Sequence, residues 1–289
     1  MNISEFYQWC EASRLTLFAP GYRTRPLVMG IVNLTPDSFS DGGLCVRKED
    51  AIRHIETMLA EGADLIDLGA ESSRPGAVPV STEQELERLI PVIQEISSMH
   101  DVVLSVDTTK PEVMYEVVQA GAGMINDIFG LRAPGALEVA AKLDVPVCLM
   151  HMQGTPGNMQ IKPDYPDGVV TSIQRFFEER IQVCMKAGLK RKHLLLDPGF
   201  GFGKTVAHNL ALTRNLQVFQ SHGLPLLLGV SRKSTLGAIL QQNVANRLPG
   251  ALGVAVFAAL QGVTIIRTHD VGATKQALEM VDAIVLSTS

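Results

Sequence analysis

Hydrophobic residues fall in eight short, nearly unbroken runs: LVMGIVNL (27–34), ADLIDLGA (63–70), VVLSVD (102–107), GMINDIF (123–129), PVCLMHM (146–152), HLLLDP (193–198), PLLLGVS (225–231) and VTIIRTH (263–269). They do not alternate with polar residues, which is the pattern of parallel strands buried on both faces. Between them lie helix-length amphipathic segments at 51–62, 81–99, 110–121 and 168–188. The segment 81–99 opens on Ser81 with Gln84 three residues on, a capping-box pattern. Eight strand–helix units in one chain of 289 residues predict an α/β fold, a (β/α)8 TIM barrel. The barrel domain is expected over 26–289. Residues 1–25 form an N-terminal extension with a short helix or hairpin. An open doubly wound sheet is the alternative, but its first-turn glycine fingerprint is missing.

Composition adds bounds. Hydrophobic residues make up 46% of the chain and charged ones 19%, enough for a large core. A net charge of −5 argues against a nucleic-acid partner and leaves room for a small anionic ligand in a locally basic pocket. The cysteines Cys10, Cys45, Cys148 and Cys184 show no metal spacing. Glu5 and Glu11 near the start argue against a signal peptide, and no apolar stretch is long enough to predict a membrane span. A cytoplasmic, reducing setting is expected.

Chemistry gathers where the runs end. In order, the ends give Asn33; Asp67 with Glu71 and Arg74; Asp107; Asn126; His151; Asp197; Ser231 with Arg232 and Lys233; and Arg267 with His269. A barrel brings its strand ends to one mouth. Arg74, Lys233, Arg267 and His269 suit an anion. Asp107, Asn126 and Asp197 suit a planar heterocycle with N–H groups along its edge. His151 is read as a satisfied strand-end histidine. Two loops rich in glycine, proline and serine, 35–43 and 71–79, fit mobile covers for a site. The stretch DPGFGFGKT (197–205) looks like a phosphate loop, yet Pro198 stands where a P-loop needs glycine, and Lys204 where the dinucleotide fingerprint needs it.

The motifs MGIVNLTPDSFSDGG (29–43), DLGAESSRPGA (67–77), SVDTTKP (105–111), INDIFG (125–130), LMHMQGTP (149–156), LLLDPGFGFGKT (194–205), LLLGVSRKS (226–234) and IIRTHDV (265–271) resemble, in order, those of the dihydropteroate synthase family. These are the folate-pathway transferases that sulfonamides inhibit. The resemblance implies condensation of 6-hydroxymethyl-7,8-dihydropterin diphosphate with 4-aminobenzoate to 7,8-dihydropteroate and diphosphate. It also implies Mg²⁺ and a homodimer. By position, Asn33 would ligate Mg²⁺ and touch the diphosphate, which Arg267 and His269 would hold. Asp107, Asn126, Asp197 and Lys233 would hold the pterin, with Met150 and Phe202 as walls. Phe39, Ser73, Arg74 and Ser234 would order the loops and the aminobenzoate. Asp107, Lys233, Arg267 and His269 would be the catalytic set. Ser73 stands where many members have threonine, and Gly157 and Asn158 depart from the more usual Arg-Thr. Two rival readings are a methyltetrahydrofolate-dependent methyltransferase and a catalytically silent pterin-binding paralogue.

Overall fold

The computed structural model describes residues 1–16, 25–35, 44–72 and 79–287. All eight apolar runs are strands: β1 Leu27–Asn33, β2 Leu65–Gly69, β3 Val103–Asp107, β4 Met124–Asp127, β5 Val147–Met150, β6 Leu194–Asp197, β7 Leu227–Gly229 and β8 Ile265–Thr268. Neighbours pair in parallel in the order β6-β5-β4-β3-β2-β1-β8-β7. A parallel bridge between Leu196 and Leu226 joins the two ends. The sheet therefore closes into the expected (β/α)8 barrel, and the open-sheet alternative is set aside.

The helices are α1 Ile3–Thr16, α2 Leu44–Ala60, α3 Thr82–Met99, α4 Pro111–Gln119, α5 Ala136–Leu143, α6 Val169–Lys186, α7 Val206–Arg214, α8 Ser234–Leu240, α9 Leu248–Leu260 and α10 Val271–Leu286. Ser81 caps α3 as its spacing predicts: its Oγ accepts from Gln84 N, and Gln84 Oε1 accepts from Ser81 N, both at 3.3 Å. The segment predicted to start at 51 begins earlier, at Leu44. No described helix is long and apolar enough to cross a membrane.

Side chains alternate across each strand, so every apolar run is divided between two cores. Outward residues such as Val28, Ile66, Leu104, Ile125, Leu149, Leu196, Leu228 and Ile266 pack under the helices. Inward residues at the strand starts, one from each strand, form a second cluster: Leu27, Leu65, Val103, Met124, Cys148, Leu195, Leu227 and Ile265. This cluster includes Phe6 and Cys10 of α1, both fully buried. They lie one helical turn apart and so share a face. Met1 O accepts from Val103 N at 3.2 Å, which fastens the chain start to β3. α1 thus covers the barrel floor, and the polar inward residues described below lie toward its other end. Phe6→Ala is expected to cost about 3–5 kcal/mol in urea unfolding, whereas a loss under about 1 kcal/mol would show that the floor closes without α1.

Candidate active site

Above the apolar floor the inward positions turn polar. The register places Asp67 beside Ser105, Asp107 beside Asn126, Met150 beside Asp197, and Gly229 beside Arg267. Asp67 has no exposed surface, and a charge so placed has to be paired. It accepts from Ser105 Oγ at 2.6 Å, Asn126 Nδ2 at 3.1 Å and Arg267 Nε at 2.6 Å. Arg267 Nη2 also reaches Asp107 Oδ2 at 3.4 Å. Gly229 leaves the space over which the Arg267 stem lies; a Cβ there would touch Arg267 Cβ at 3.6 Å.

This network fixes what the cup presents. Asn126 must turn its NH2 to the Asp67 carboxylate, so its Oδ1 points the other way. That oxygen is buried and has no hydrogen-bond partner among the described residues. Asp107 stands next to it, its carboxyl pushed up to about 7 by burial, against the pull of Arg267. Burial also raises Asp197, against the nearby Lys233. Three acceptors therefore line a site with more acceptors than donors.

The turn after β6 supplies the rest. Asp197 Oδ1 accepts from Gly199 N at 2.7 Å. Gly199 has φ +69°, and a Cβ there would lie 1.9 Å from His151 O, so only glycine allows the chain this path. Phe202 packs with Met150, Met152, Ile128 and Phe129 into an apolar wall. Lys233 Nζ lies 4.5 Å from the Phe202 ring centroid and donates to Phe200 O. Burial lowers its pKa to about 8.

The rim is cationic. Arg267 still has Nη1, from which no described residue accepts a hydrogen bond. His269 Nδ1 lies 3.0 Å from Ser231 Oγ, which also accepts from His269 N at 3.3 Å. This serine orients the imidazole. Asn33 ends β1 at the same level, and no described residue hydrogen-bonds its carboxamide; a Cβ at Gly69 would stand 3.8 Å from its Oδ1. Ser234 is exposed at the start of α8.

Among the site residues expected from the sequence, Asn33, Asp107, Asn126, Met150, Asp197, Phe202, Lys233, Arg267 and His269 stand together at the mouth. Phe39, Ser73 and Arg74, with most of both expected cover loops, lie outside the described residues. His151 is buried, and burial, with Lys204 beside it, takes its pKa down to about 2. It is a structural histidine, as read. Sequence reasoning gave no role to Asp67, Ser105 or Lys204. An aspartate inside the apolar run LIDLG was a usable signal for Asp67, since a strand buried on both faces has no solvent for a carboxylate.

Residues 29–269 match the family of pterin binding enzymes. Over 272 residues the chain is 51% identical to the dihydropteroate synthase of Escherichia coli (strain K12), covering 93% of this chain and 96% of that relative. It is 46% identical over 255 residues to the enzyme of the same name from Haemophilus influenzae, covering 88% of this chain and 92% of that relative. The crystal structure of Yersinia pestis dihydropteroate synthase in a sulfonamide drug complex superposes with a TM-score of 0.87 at 50% identity, covering 93% of this chain and 98% of that one. The Xanthomonas albilineans enzyme with 4-aminobenzoic acid gives 0.86 at 47% identity, covering 91% and 94%.

Proposed function

The chain belongs to the pterin-binding enzymes as a member of the dihydropteroate synthase family, and from that premise we propose how its residues divide the work. The reaction joins 6-hydroxymethyl-7,8-dihydropterin diphosphate to 4-aminobenzoate. The bond from the pterin methylene carbon to the diphosphate oxygen breaks, a bond to the aniline nitrogen forms, and the amine loses a proton.

The observation that carries the site assignment is the surplus of buried acceptors, above all the unpartnered Asn126 Oδ1 between Asp67 and Asp107. A pterin offers an amidine-like edge of N–H groups. Asp197, Asn126 and Asp107 accept from that edge, and a cup built this way rejects rings that lack it. Lys233 donates to the ring. Met150 and Phe202 wall it. Arg267, tied through Nε to Asp67, directs its remaining donors with His269 at the diphosphate. Asp107, ionised above its pKa of about 7, stabilises positive charge at the methylene carbon as diphosphate departs. No side-chain nucleophile is needed, because the aniline nitrogen has its own lone pair. Ser234, and Phe39, Ser73 and Arg74 from the two loops, order the aminobenzoate and keep water away from the carbon.

The donor set suits Mg²⁺ at Asn33. Among the described residues no group of three His, Cys, Asp or Glu is arranged to hold a metal, but Asn33 offers one neutral oxygen that no described residue hydrogen-bonds. A single protein ligand is enough for an ion that keeps its waters and binds substrate phosphates. When bound, it would neutralise charge on the departing diphosphate.

A homodimer is supported by the faces of α9 and α10, which pack side by side. Phe257 and Leu260, and Met280 and Ile284, are exposed at helical spacing. In sedimentation, the protein should run as a dimer and Phe257→Glu as a monomer; a monomeric parent would end that reading. Cys10, Cys148 and Cys184 are free buried thiols, which suits a cytoplasmic protein. Sulfonamides are expected inhibitors.

The assignment is tested by equilibrium binding. The pterin diphosphate should bind the parent protein and bind Lys233→Ala at least about tenfold more weakly. Equal affinity would remove Lys233 from the cup. pH supplies an independent check. Lysine is charged below its pKa, so kcat/KM for the pterin diphosphate should fall as pH rises through about 8. Arginine keeps its proton, so Lys233→Arg should retain less activity but shift that limb beyond about pH 10. A limb that stays near 8 in this variant belongs to another group.

A further inference from the structure

The lysine that gives residues 197–205 their likeness to a nucleotide loop has no role in the reading above. Lys204 is 3% exposed, and at that depth its N–H donors have to be satisfied within the protein. Its Nζ lies 2.9 Å from Gly199 O, 3.0 Å from Phe202 O and 3.0 Å from His151 Nδ1, with His151 O further off at 3.4 Å. Burial pulls the Lys204 pKa well below that of an ordinary lysine, with Asp197 pulling the other way; the geometry favours the ammonium, because three close acceptors match its three hydrogens where a neutral amine has only two. The His151 ring is neutral, so Nδ1 accepts and the proton sits on Nε2.

The identity of the acceptors matters more than their number. Two are carbonyls of the turn that Lys204 itself ends, and the third sits just past β5. One side chain thus ties both ends of the 199–202 turn to each other and to the neighbouring strand. Asp197, which accepts from Gly199 N, stands just before that turn, and Phe202 is its last residue. The outer side of the turn is held separately: Gln160 Nε2 donates to Gly201 O at 2.6 Å, Tyr165 Oη to Gly203 O at 2.8 Å, and Gly201 N to Asn209 Oδ1 at 2.8 Å. Among the described residues two lysines reach its carbonyls: Lys233 Nζ donates to Phe200 O in the middle of the turn, and Lys204 holds Gly199 O and Phe202 O at its ends. A buried ammonium is a costly way to gain stability alone, since apolar replacements of similar volume often serve as well. Its return here is geometric.

We propose that Lys204 is a positioning residue for pterin recognition, its buried ammonium fixing the 199–202 turn so that Asp197 and Phe202 stand ready before the ring arrives. This rests on the pterin reading of the cup. Lys204→Met keeps the length and apolar bulk and removes the donors. It should raise KM for the pterin diphosphate about tenfold or more while leaving KM for 4-aminobenzoate within about twofold, because the turn faces one substrate and not the other. A folded Lys204→Met with an unchanged pterin KM would overturn the proposal, and so would an equal rise in both KM values. His151→Leu, which removes one acceptor and leaves the lysine, should raise only the pterin KM, by about threefold; it decides the matter if Lys204→Met does not fold, and no change in it counts against the proposal. Asp197→Asn separates two failures. If it raises the pterin KM and Lys204→Met does not, Lys204 has no positioning role; if neither does, the pterin reading itself has failed.

Discussion

Asp197→Asn is expected to lower kcat/KM for the pterin diphosphate by about a hundredfold to ten-thousandfold with little loss of stability. The two effects separate because Asp197 has two tasks. For the fold, one oxygen accepts from Gly199 N at 2.7 Å, and an asparagine oxygen does this equally well. For the substrate, a carboxylate meets a pair of N–H groups. Asparagine keeps one acceptor and turns an NH2 against the other donor. A hydrogen bond to a charged group contributes about 1.5–3 kcal/mol, and a buried donor left facing another donor adds about 1–3 kcal/mol. At about 1.4 kcal/mol for each factor of ten, this gives the stated range. Steady-state kinetics with the pterin diphosphate varied, beside a thermal melt, reads both halves. Parent-like kcat/KM in a folded variant would mean that the donor edge of the ring is read elsewhere.

Asp67→Ala should strike stability and activity together. Asp67 is the one carboxylate that receives Ser105, Asn126 and Arg267 at once, and it is fully buried. Removing it leaves Arg267 with only the longer contact to Asp107 and frees Asn126 to turn its amide. Breaking a buried pair by removing one partner costs about 3–5 kcal/mol. At about 2–4 °C per kcal/mol for chains of this size class, the melting temperature should drop by about 6–20 °C. Activity should fall below detection, since Arg267 and Asn126 both lose their aim. Ser105→Ala, which removes one neutral donor, should cost only about 1 kcal/mol. An Asp67→Ala protein that melts like its parent and turns over would show that Arg267 is held by something other than this carboxylate.

The two residues probed here were unequally legible. Asp197 ends an apolar run and opens a glycine-rich turn, so strand periodicity and the convergence of barrel strand ends were enough to place it. The same logic located Asn33, Asp107, Asn126 and Arg267, and the eight runs alone implied the barrel. Asp67 was visible as a run end, but its partners were not. Its bond to Arg267 spans 200 residues of chain, and no local pattern reports a contact made across a closed barrel. Lys204 was misleading in sequence because its neighbours imitate a phosphate loop, whereas its side chain turns inward to carbonyls. The floor seal was hidden for another reason. Among the described side chains of α1, Phe6 and Cys10 are the fully buried members of the barrel cluster, with Tyr7 and Trp9 packed against it, too short an apolar stripe to stand out as a period.

The most direct measurement is diphosphate release by the purified protein given the pterin diphosphate and Mg²⁺, with and without 4-aminobenzoate. The account predicts release that depends on aminobenzoate and matches dihydropteroate formed one for one. Release that proceeds equally without aminobenzoate, or tight pterin binding with no release at all, would contradict it.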